Sequence, residues 1–481
     1  MRTGYRVETV RAAERALMAR LPEGTLMRRA AAGLAAVCAE LLGRVYGARV
    51  ALLVGSGDNG GDALYAGALL ARRGAGVTAV LLAPERAHAG GLRALRGAGG
   101  RSVPADSLDA LTAVGRADLV VDGIVGIGGK GGLRPDAERL VRAVRGVLVA
   151  TDLPSGVDAD SGETPGAAVR ADVTVTFGTY KPGLLIDPAR EYAGALRLVD
   201  IGLAPWLPPT ADVEALHHAD VAELLPRPAA ESDKYRRGVV GVVAGSARYP
   251  GAAVLAVAGA LRGGAGAVRY VGPAADAVIA RFPETLVHAG PPHKAGRVQA
   301  WVVGPGLGDG AVARQALEDV LASDVPVLVD ADGLRLLPPD LARTAPTLLT
   351  PHAGEAAALL GTSREDVEAN RLRSVRALAD RFAATALLKG STTLVAAADG
   401  GPVRVNPTGT GWLATAGSGD VLSGLTGSLL ATGLNPREAA SAGAYLHGLA
   451  ARRATGRPGA PITAYEVATA LADAWAEVAS A

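Results

Sequence analysis

The sequence has little cysteine and few aromatic residues, and both shortages limit what the protein can be. Its one cysteine, Cys38, has no partner in the chain for a disulfide, and it falls in an apolar helical pattern that favours a buried thiol over a nucleophile. Aromatic residues make up 4% of the 481 residues. Because no basic run is interleaved with them, no signal for a nucleic-acid surface is present, and the net charge of +2 argues neither way.

Long apolar runs are also missing. A membrane-spanning helix needs about 18 apolar residues, and the nearest candidate, 251–261, is stopped by Arg262. The arginine-rich start of the chain has no apolar signal core, and Glu8 and Glu14 count against a transit peptide. We therefore expect a cytoplasmic protein without a membrane partner.

Glycine and small apolar residues, by contrast, are abundant. The chain has 64 glycines and 49% hydrophobic residues, which is typical of an α/β protein with tight turns between strands and helices. A chain of this length is too long for one core, so we expect two domains. The proline-rich segment 201–210 is the predicted linker.

In the first half, short apolar strands end in polar or glycine-rich turns. The predicted strands of this kind are 48–54, 117–121 and 147–151. Parallel sheets bind ligands at the carboxyl ends of their strands. Asn59, Asp122 and Ser155 are therefore expected to converge at one edge, where their oxygen atoms suit a hard cation. The alternative is that each residue only forms a turn or caps a helix.

The loop after the first strand has the glycine spacing of a dinucleotide-binding turn, with Gly55, Gly57 and Gly60. Asp58 and Asp62, however, flank the place where the anionic diphosphate would lie. We therefore interpret this loop, which precedes a helix predicted at 63–73, as a site for a cation or for substrate hydroxyls. A tight turn with local side-chain hydrogen bonds is the alternative.

Taken together, VGSGDNGGD, VVDGIVGIGGKGG and DLPSGVDADSG, with TFGTYKPGL after them, resemble the NAD(P)H-hydrate epimerase domain over residues 1–205. The resemblance implies a Rossmann-like fold that interconverts the R and S epimers of hydrated NADH and NADPH. It implies K⁺ bound by Asn59, Asp122 and Ser155, and Asp152 as the acid/base. The implied substrate-binding residues are Asp58, Asn59, Gly60, Gly61, Asp62, Gly126, Ile127, Gly128, Gly129, Lys130, Gly131, Gly132 and Asp152. The family commonly has Asn where this chain has Asp58, which replaces a hydrogen-bond donor by an acceptor.

In the second half, residues 406–424 place many small residues at the start of a predicted helix. Backbone N–H groups exposed at such a helix start suit a phosphate. Asp420 lies at the edge of this phosphate cradle. It is either a general base that takes a proton from a hydroxyl attacking phosphorus, or a cap of the following helix.

Two further strand ends carry candidate residues. Lys389 precedes Gly390 and three hydroxyl residues, and it either contacts nucleotide phosphates or is a solvated lysine. The spacing is not that of a Walker A loop. His352 precedes a helix predicted to begin near Glu355, and it either caps that helix or contacts substrate.

PHAGE, LLKGSTT and NPTGTGWLATAGSGDVLSG resemble the ADP- or ATP-dependent NAD(P)H-hydrate dehydratase, a ribokinase-like family, over residues 212–481. The implied nucleotide-binding residues are Lys389, Gly390, Ser391, Thr392, Thr393 and Gly419. The implied substrate-binding residues are Ala252, Gly306, His352 and Asp420. The chain departs from the family pattern at Asp233, Ala353, Thr410 and Ala416.

These observations predict a bifunctional enzyme with two three-layer αβα domains, at 1–205 and 212–481. The first equilibrates the C6 epimers of hydrated NAD(P)H. The second phosphorylates the C6 hydroxyl of the S epimer with ADP or ATP and Mg²⁺, so that phosphate leaves and the dihydropyridine forms again. We expect a homo-oligomer that binds no nucleic acid. The rivals are a ribokinase-like small-molecule kinase fused to an epimerase-like domain, and a non-catalytic scaffold.

Overall fold

The computed structural model describes residues 1–339, 341, 343–456 and 459–481. The chain divides into two compact units: the first is Thr3–Val213, and the second is Met1–Arg2 with Glu214–Ala481. The proposed linker at 201–210 lies within the first unit, where Ile201 and Leu203 are buried. In the described part of the chain, no helix is both long enough and apolar enough to cross a membrane.

The first unit is built on a parallel sheet with helices on both faces. Its strands are β1 (Arg49–Val54), β2 (Gly76–Leu81), β3 (Arg101–Pro104), β4 (Leu119–Gly123), β5 (Val147–Thr151), β6 (Val173–Phe177) and β7 (Ala195–Val199). Its helices are α1 (Val7–Met18), α2 (Thr25–Leu42), α3 (Asp58–Arg72), α4 (Ala89–Gly97), α5 (Leu108–Gly115), α6 (Pro135–Arg142) and α7 (Arg190–Ala193). The short strands Arg2–Gly4 and Val213–Ala215 lie where the chain passes between units.

The strand order β3-β2-β1-β4-β5-β6-β7 makes this a doubly wound, three-layer αβα unit, as predicted. Successive residues of β1 face opposite layers: Leu52 packs in one apolar cluster with α1 to α4, and Leu53 packs in another with α5 and α6. A strand that is covered on both faces has to be apolar throughout, which explains why β1 reads as a continuous apolar run.

The prediction that 55–62 is a loop was wrong in its second part, because α3 begins at Asp58. The chain is extended at Gly57 and turns into the helix immediately afterwards. A Cβ atom on Gly60 would lie 2.6 Å from the carbonyl oxygen of Gly55, and one on Gly61 would lie 3.0 Å from His88 and Met27. These glycines therefore serve close packing of a helical turn. Asp58 to Asp62 accordingly occupy a helix N-terminus, where carboxylates are favourable.

The second unit also carries a largely parallel sheet. Its strands are β8 (Val239–Val243), β9 (Ala267–Val271), β10 (Leu286–His288), β11 (Ala300–Val303), β12 (Val327–Val329), β13 (Thr347–Leu349), β14 (Thr385–Leu388), β15 (Thr393–Ala396) and β16 (Val403–Asn406). Their order is β16-β15-β14-β13-β12-β11-β8-β9-β10. The pairs β14–β15 and β15–β16 are antiparallel, and the other pairs in this series are parallel.

Helices cover both faces of this sheet as well, which gives the predicted ribokinase-like αβα unit. They are α8 (His218–Leu224), α9 (Pro250–Arg262), α10 (Ala275–Arg281), α11 (Ala311–Leu321), α12 (Asp332–Arg335), α13 (Ala353–Leu360), α14 (Arg364–Ala369), α15 (Arg371–Phe382), α16 (Ser418–Ala431), α17 (Pro436–Ala454) and α18 (Ala464–Ala479). Val240 and Val242 of β8 belong to the apolar cluster formed with α9, α16, α17 and α18. Val239 and Val243 are buried outside that cluster.

Glycines bring α16 unusually close to its neighbours. A Cβ atom on Gly424 would lie 1.9 Å from the carbonyl oxygen of Ala256 in α9, and one on Gly427 would lie 2.0 Å from the side chain of Val302 in β11. Only glycine allows this approach of backbone to backbone. The packing fixes the position of α16, and therefore of the phosphate cradle at its start.

Candidate active sites

In the first unit, Asp122 at the end of β4 is fully buried and bonded to Ser155. The backbone N–H and the hydroxyl of Ser155 donate to its carboxylate at 2.8 and 2.7 Å, and the N–H of Ile124 donates at 3.1 Å. Burial raises the pKa of Asp122 to about 6, against the lowering effect of these hydrogen bonds. No basic side chain of the described residues forms an ion pair with Asp122.

Asn59 lies beside the same group. A Cβ atom on Gly126 would be 3.1 Å from Asn59 Oδ1, and the neighbouring residue, Val125, exchanges hydrogen bonds with Ser155 Oγ. Among the described residues, Asn59 Nδ2 is buried without a hydrogen-bond partner. The structure therefore brings Asn59, Asp122 and Ser155 together, while K⁺ binding stays a prediction.

Asp152, at the end of β5, is paired with a lysine that the sequence analysis did not single out. Its Oδ1 atom accepts from Lys181 Nζ at 2.5 Å, from Thr176 Oγ1 at 3.0 Å and from the N–H of Phe177 at 3.2 Å. Lys181 is 1% exposed. The backbone of Asp152 is left-handed, with φ at 64°, a strained state that persists where surrounding contacts impose it.

More carboxyl groups surround this pair. Burial raises the pKa of Asp62 well above its usual value, and the charges of Asp152, Asp58 and Glu14 raise it further. Burial also raises the pKa of Glu14 on α1, which Lys181 opposes. Glu14 is a second group that the sequence reasoning missed, because a single acid on an amphipathic helix carries no pattern. Carboxyl groups with raised pKa values next to a lysine can hold and exchange protons.

The predicted substrate loop 126–132 follows β4. Ile127, Gly128, Gly129 and Lys130 line a cleft of about 420 Å³. Gly131 is left-handed, with φ at 83°, and a Cβ atom on Gly132 would lie 2.7 Å from the Cα atom of Gly166. The loop is thus shaped by close backbone packing beside an open cleft.

In the second unit, Asp420 is the third residue of α16, and the N-cap residue is Gly417. Asp420 therefore lies inside the first turn and not at the capping position. Burial, and after it the charge of Asp330, raise its pKa to about 7, against the lowering effect of Lys389. A carboxyl group with such a pKa can accept a proton at neutral pH.

Lys389 is bound in an acidic pocket beneath the cradle. Its Nζ atom lies 2.7 Å from Asp330 and 3.9 Å from Glu355, and Asp330 also accepts from Ser423 Oγ at 2.6 Å. The lysine side chain is 20% exposed, so it is not a solvated lysine. Burial lowers its pKa, but Asp330 and Glu355 outweigh that effect and raise the pKa overall.

The same contacts connect the lysine to the cradle. A Cβ atom on Gly419 would lie 3.4 Å from Lys389 Nζ and 3.9 Å from Asp330 Oδ2. Asp330 was not among the residues predicted from the sequence. A buried arginine, Arg371, was also missed: it donates to the carbonyl oxygens of Thr392 and Lys389 at 2.8 and 3.2 Å and so holds the predicted nucleotide loop.

His352 has the capping geometry that was one of its two interpretations. Its Nδ1 atom accepts from the N–H groups of Gly354 and Glu355 at 3.0 and 3.3 Å, and Glu355 accepts from the N–H of His352 at 2.8 Å. Its imidazole is 58% exposed, and contact with substrate stays a prediction. Ala353 occupies the first helical position, where proline is also well accommodated, so the departure from the family pattern preserves this turn.

Two other predicted substrate residues contact each other, Ala252 in the first turn of α9 and Gly306 in the loop after β11. Gly306 is left-handed, with φ at 60°, and a Cβ atom on it would lie 2.6 Å from the Cβ atom of Ala252. Ser391 and Thr392 follow Gly390 in the loop between β14 and β15, and Thr393 is the first residue of β15. A Cβ atom on Gly390 would contact the guanidinium of Arg371 at 2.3 Å, so glycine is required there.

Two family descriptions match the chain. Residues 23–183 match the family described as YjeF-related protein N-terminus. Residues 240–473 match the family described as NAD(P)H-hydrate dehydratase. Each match falls within one of the two compact units.

Relatives with the same arrangement of both segments are known. A protein of Mycobacterium leprae named bifunctional NAD(P)H-hydrate repair enzyme is 51% identical over 470 residues, which is 95% of this chain and 95% of that protein. A protein of the same name from Escherichia coli K12 is 35% identical over 417 residues, 83% of this chain and 79% of that protein. The solved ADP/ATP-dependent NAD(P)H-hydrate dehydratase of Bacillus subtilis, crystallised with ATP and Mg²⁺, is 31% identical with a TM-score of 0.52, and the match covers 56% of this chain and 99% of that chain.

Proposed function

The chain belongs to the family of bifunctional NAD(P)H-hydrate repair enzymes, and from this premise we propose which of its residues perform each reaction. It is an epimerase of hydrated NAD(P)H and an ADP/ATP-dependent dehydratase of the same substrate. Neither the simple kinase nor the non-catalytic scaffold accounts for a similarity that spans both units. We place the enzyme in the cytoplasm as a homo-oligomer.

In the epimerase unit, Asp152 and Lys181 transfer the proton that epimerisation requires. Converting one epimer into the other breaks one bond at C6 and forms it again on the opposite face. Whether that bond joins C6 to the hydroxyl or to the ring nitrogen, the departing atom must receive a proton and return it when the bond forms again. The buried Asp152–Lys181 pair is placed to supply and recover that proton, because it lies among the carboxyl groups of Glu14, Asp58 and Asp62.

We assign K⁺ to Asn59, Asp122 and Ser155. The donor set consists of oxygen atoms, which suits a hard cation. Asp122 is a buried carboxylate with no ion pair among the described residues, and such a charge is costly unless it is neutralised. A bound K⁺ would supply that neutralising charge and would hold the strand ends beside the substrate loop.

In the dehydratase unit, Asp420 takes the proton from the C6 hydroxyl as its oxygen attacks the terminal phosphorus of ADP or ATP. The bond between that phosphorus and the bridging oxygen breaks, and AMP or ADP leaves. The N–H groups of the cradle and the ammonium of Lys389 stabilise the charge on the transferring phosphoryl group. The C6–O bond then breaks with its electron pair on the phosphate, and loss of a C5 proton forms the double bond of NAD(P)H. Hydroxide is a poor leaving group and phosphate a good one, which is why phosphorylation precedes elimination.

The observation that carries this assignment is the position of Asp420 in the first turn of α16, next to the Lys389–Asp330 pair, with its pKa raised to about 7.

Among the described residues, no cluster of three or more His, Cys, Asp or Glu side chains is arranged to hold a metal ion. Mg²⁺ is therefore assigned to the nucleotide phosphates, where it would neutralise charge on the transferring group.

The purified full chain tests the proposal directly. It is incubated with mixed-epimer NADH hydrate, Mg²⁺, K⁺ and either ADP or ATP, and the NADH absorbance is followed. We expect conversion of both epimers to NADH. If neither nucleotide supports any formation of NADH, the repair function is wrong for this chain.

A further inference from the structure

A second feature of the epimerase unit is a group of basic residues outside its proton-transfer centre. The cleft of about 420 Å³ that contains the substrate loop is also lined by Arg11 and Arg15 of α1. These arginines are four residues apart and so lie on one face of the helix. Lys130 lines the same cleft from the loop. Three cations therefore converge on one open volume.

Among the described residues, the acidic side chains of this cleft form no ion pair with these three cations. Asp160 accepts from the N–H of Val7 at 2.7 Å, and Asp158 accepts from the N–H of Asp160 at 2.9 Å. Both carboxylates thus already bind backbone N–H groups. By contrast, Arg11, Arg15 and Lys130 form no side-chain hydrogen bond or ion pair with any described residue. Glu8, an exposed residue on the same helix, is the remaining acid of the lining.

One of the cations also lies against the substrate loop. A Cβ atom on Gly128 would lie 2.6 Å from Arg11 Nη2, so the guanidinium rests directly against a glycine. The planar guanidinium group of arginine recognises phosphate oxygens through paired hydrogen bonds. The contact between Arg11 and Gly128 thus joins α1 to the substrate loop.

The same helix extends to the reacting groups. Glu14 lies three residues after Arg11, and its carboxyl group is influenced by the charges of Lys181 and Asp152. A ligand held by the arginines would therefore have its far end near the proton-transfer pair. The matched family segment begins at residue 23, so α1 lies before it.

We propose that Arg11, Arg15 and Lys130 form a phosphate clamp that binds a phosphate group of hydrated NAD(P)H while its ring lies at Asp152. The clamp rests on the epimerase function proposed above. The group it binds is the diphosphate, which both substrates carry, or the 2′-phosphate, which only the NADPH form carries. In either case the clamp acts on substrate binding and not on proton transfer.

The test uses the full-length Arg11→Gln/Arg15→Gln variant, and epimerisation is followed by chromatographic separation of the R and S epimers. We expect the KM of the epimerase to rise at least about tenfold, which is the effect of losing a single charge-assisted contact, with kcat unchanged. An equal rise for both hydrates identifies the diphosphate. A rise for NADPH hydrate alone identifies the 2′-phosphate.

Three controls make the result specific. Arg93 is an exposed residue of α4 and lies outside the cleft. Arg93→Gln should therefore leave the KM unchanged. Glu8→Gln should lower the KM, because it removes a negative charge from the lining of the cleft. Lys130→Gln should raise the KM, and it provides a second variant if the double variant does not fold.

The possible results distinguish a failure of the clamp proposal from a failure of the proposed epimerase function. If wild-type chain epimerises both hydrates and the arginine variants have the wild-type KM, the clamp is wrong and the epimerase assignment stands. If the wild-type chain does not epimerise at all, the proposed function itself fails. An unchanged kcat for epimerisation shows that the first unit of each variant is folded, and dehydration of the S epimer, which depends on the second unit, should match wild type.

Discussion

The Nζ atom of Lys181 lies 2.5 Å from the Oδ1 atom of Asp152, and both side chains are buried. Lys181 also donates to Thr176 Oγ1 at 3.0 Å and to the carbonyl oxygen of Phe177 at 3.2 Å. The ammonium group of Lys181 therefore donates three hydrogen bonds, one of which goes to the carboxylate of Asp152. A buried pair of this kind costs little while intact and much when one partner is removed.

Lys181→Met is therefore expected to reduce both stability and epimerisation. It leaves Asp152 as a buried charge without a partner, which costs about 3–5 kcal/mol in the free energy of unfolding. Denaturant unfolding of the variant measures this loss. The double variant Lys181→Met/Asp152→Asn removes both charges and should recover much of the stability without activity. Additive losses in the double-variant cycle would mean that the pair is not coupled.

K⁺ is expected to stabilise the first unit in a pH-dependent way. The folded-state pKa of Asp122, about 6, lies above the value of about 3.9 in an unfolded chain. The folded state therefore binds the extra proton between these values, so ionised Asp122 opposes folding above pH 6 and this penalty disappears as the pH falls toward 4. K⁺ should raise the unfolding temperature most above pH 6 and progressively less below it.

A large organic cation provides the control for this K⁺ effect, because it matches ionic strength but cannot fit among the side chains. Ser155→Ala should weaken the K⁺ effect, since it removes one oxygen donor and one hydrogen bond to Asp122. If K⁺ and the organic cation have the same effect at every pH, the assigned cation site does not exist.

The rate of dehydration should rise with pH through about 7, because Asp420 acts only when it is ionised and its pKa is raised to about 7. Lys389 lowers that pKa by its positive charge, so Lys389→Met should move the rising limb to higher pH as well as weaken nucleotide binding. A pH–rate profile of kcat for the pure S epimer measures the position of the limb, and the KM for the nucleotide measures its binding. If the rising limb of Lys389→Met lies at the same pH as that of wild type, a group other than Asp420 titrates.

Close packing of α16 is expected to tolerate no added methyl group. Gly424→Ala would place a Cβ atom 1.9 Å from the carbonyl oxygen of Ala256, and such overpacking should cost about 1–3 kcal/mol. Gly251→Ala, in α9 with no atom within 4 Å of the added Cβ, is the matched control and should be neutral or slightly stabilising. Equal unfolding temperatures for the two variants would contradict the packing described for α16.

The sequence predicted the strand ends well because their signal is local. Short apolar runs bounded by glycine and polar residues located β1, β4 and β5 to within two residues, and the edge of a parallel sheet then brings Asn59, Asp122 and Ser155 together. The helical first turn at Asp58 was missed, because glycines in a helix are justified only by what packs against them.

The partners of the reactive groups could not be predicted from local patterns. Lys181 and Asp152 are 29 residues apart, and Lys389 and Asp330 are 59 residues apart. A lysine beside glycine has the same local pattern whether it is solvated or folded back onto a buried aspartate. Only the tertiary fold distinguishes these cases, and the same holds for Glu14 and Arg371.

The division of the two reactions is tested most directly by the formation of NADH from separated epimers. Pure R and pure S NADH hydrate are each incubated with full-length wild type, Asp152→Asn and Asp420→Asn in the presence of nucleotide, Mg²⁺ and K⁺. Asp152→Asn should convert the S epimer at the wild-type rate and the R epimer only slowly. Asp420→Asn should form NADH from neither, with kcat reduced by at least about 10²-fold, while still interconverting the epimers. Equal loss on both epimers in Asp152→Asn, or full activity of Asp420→Asn, would contradict the assignment of one carboxylate to each reaction.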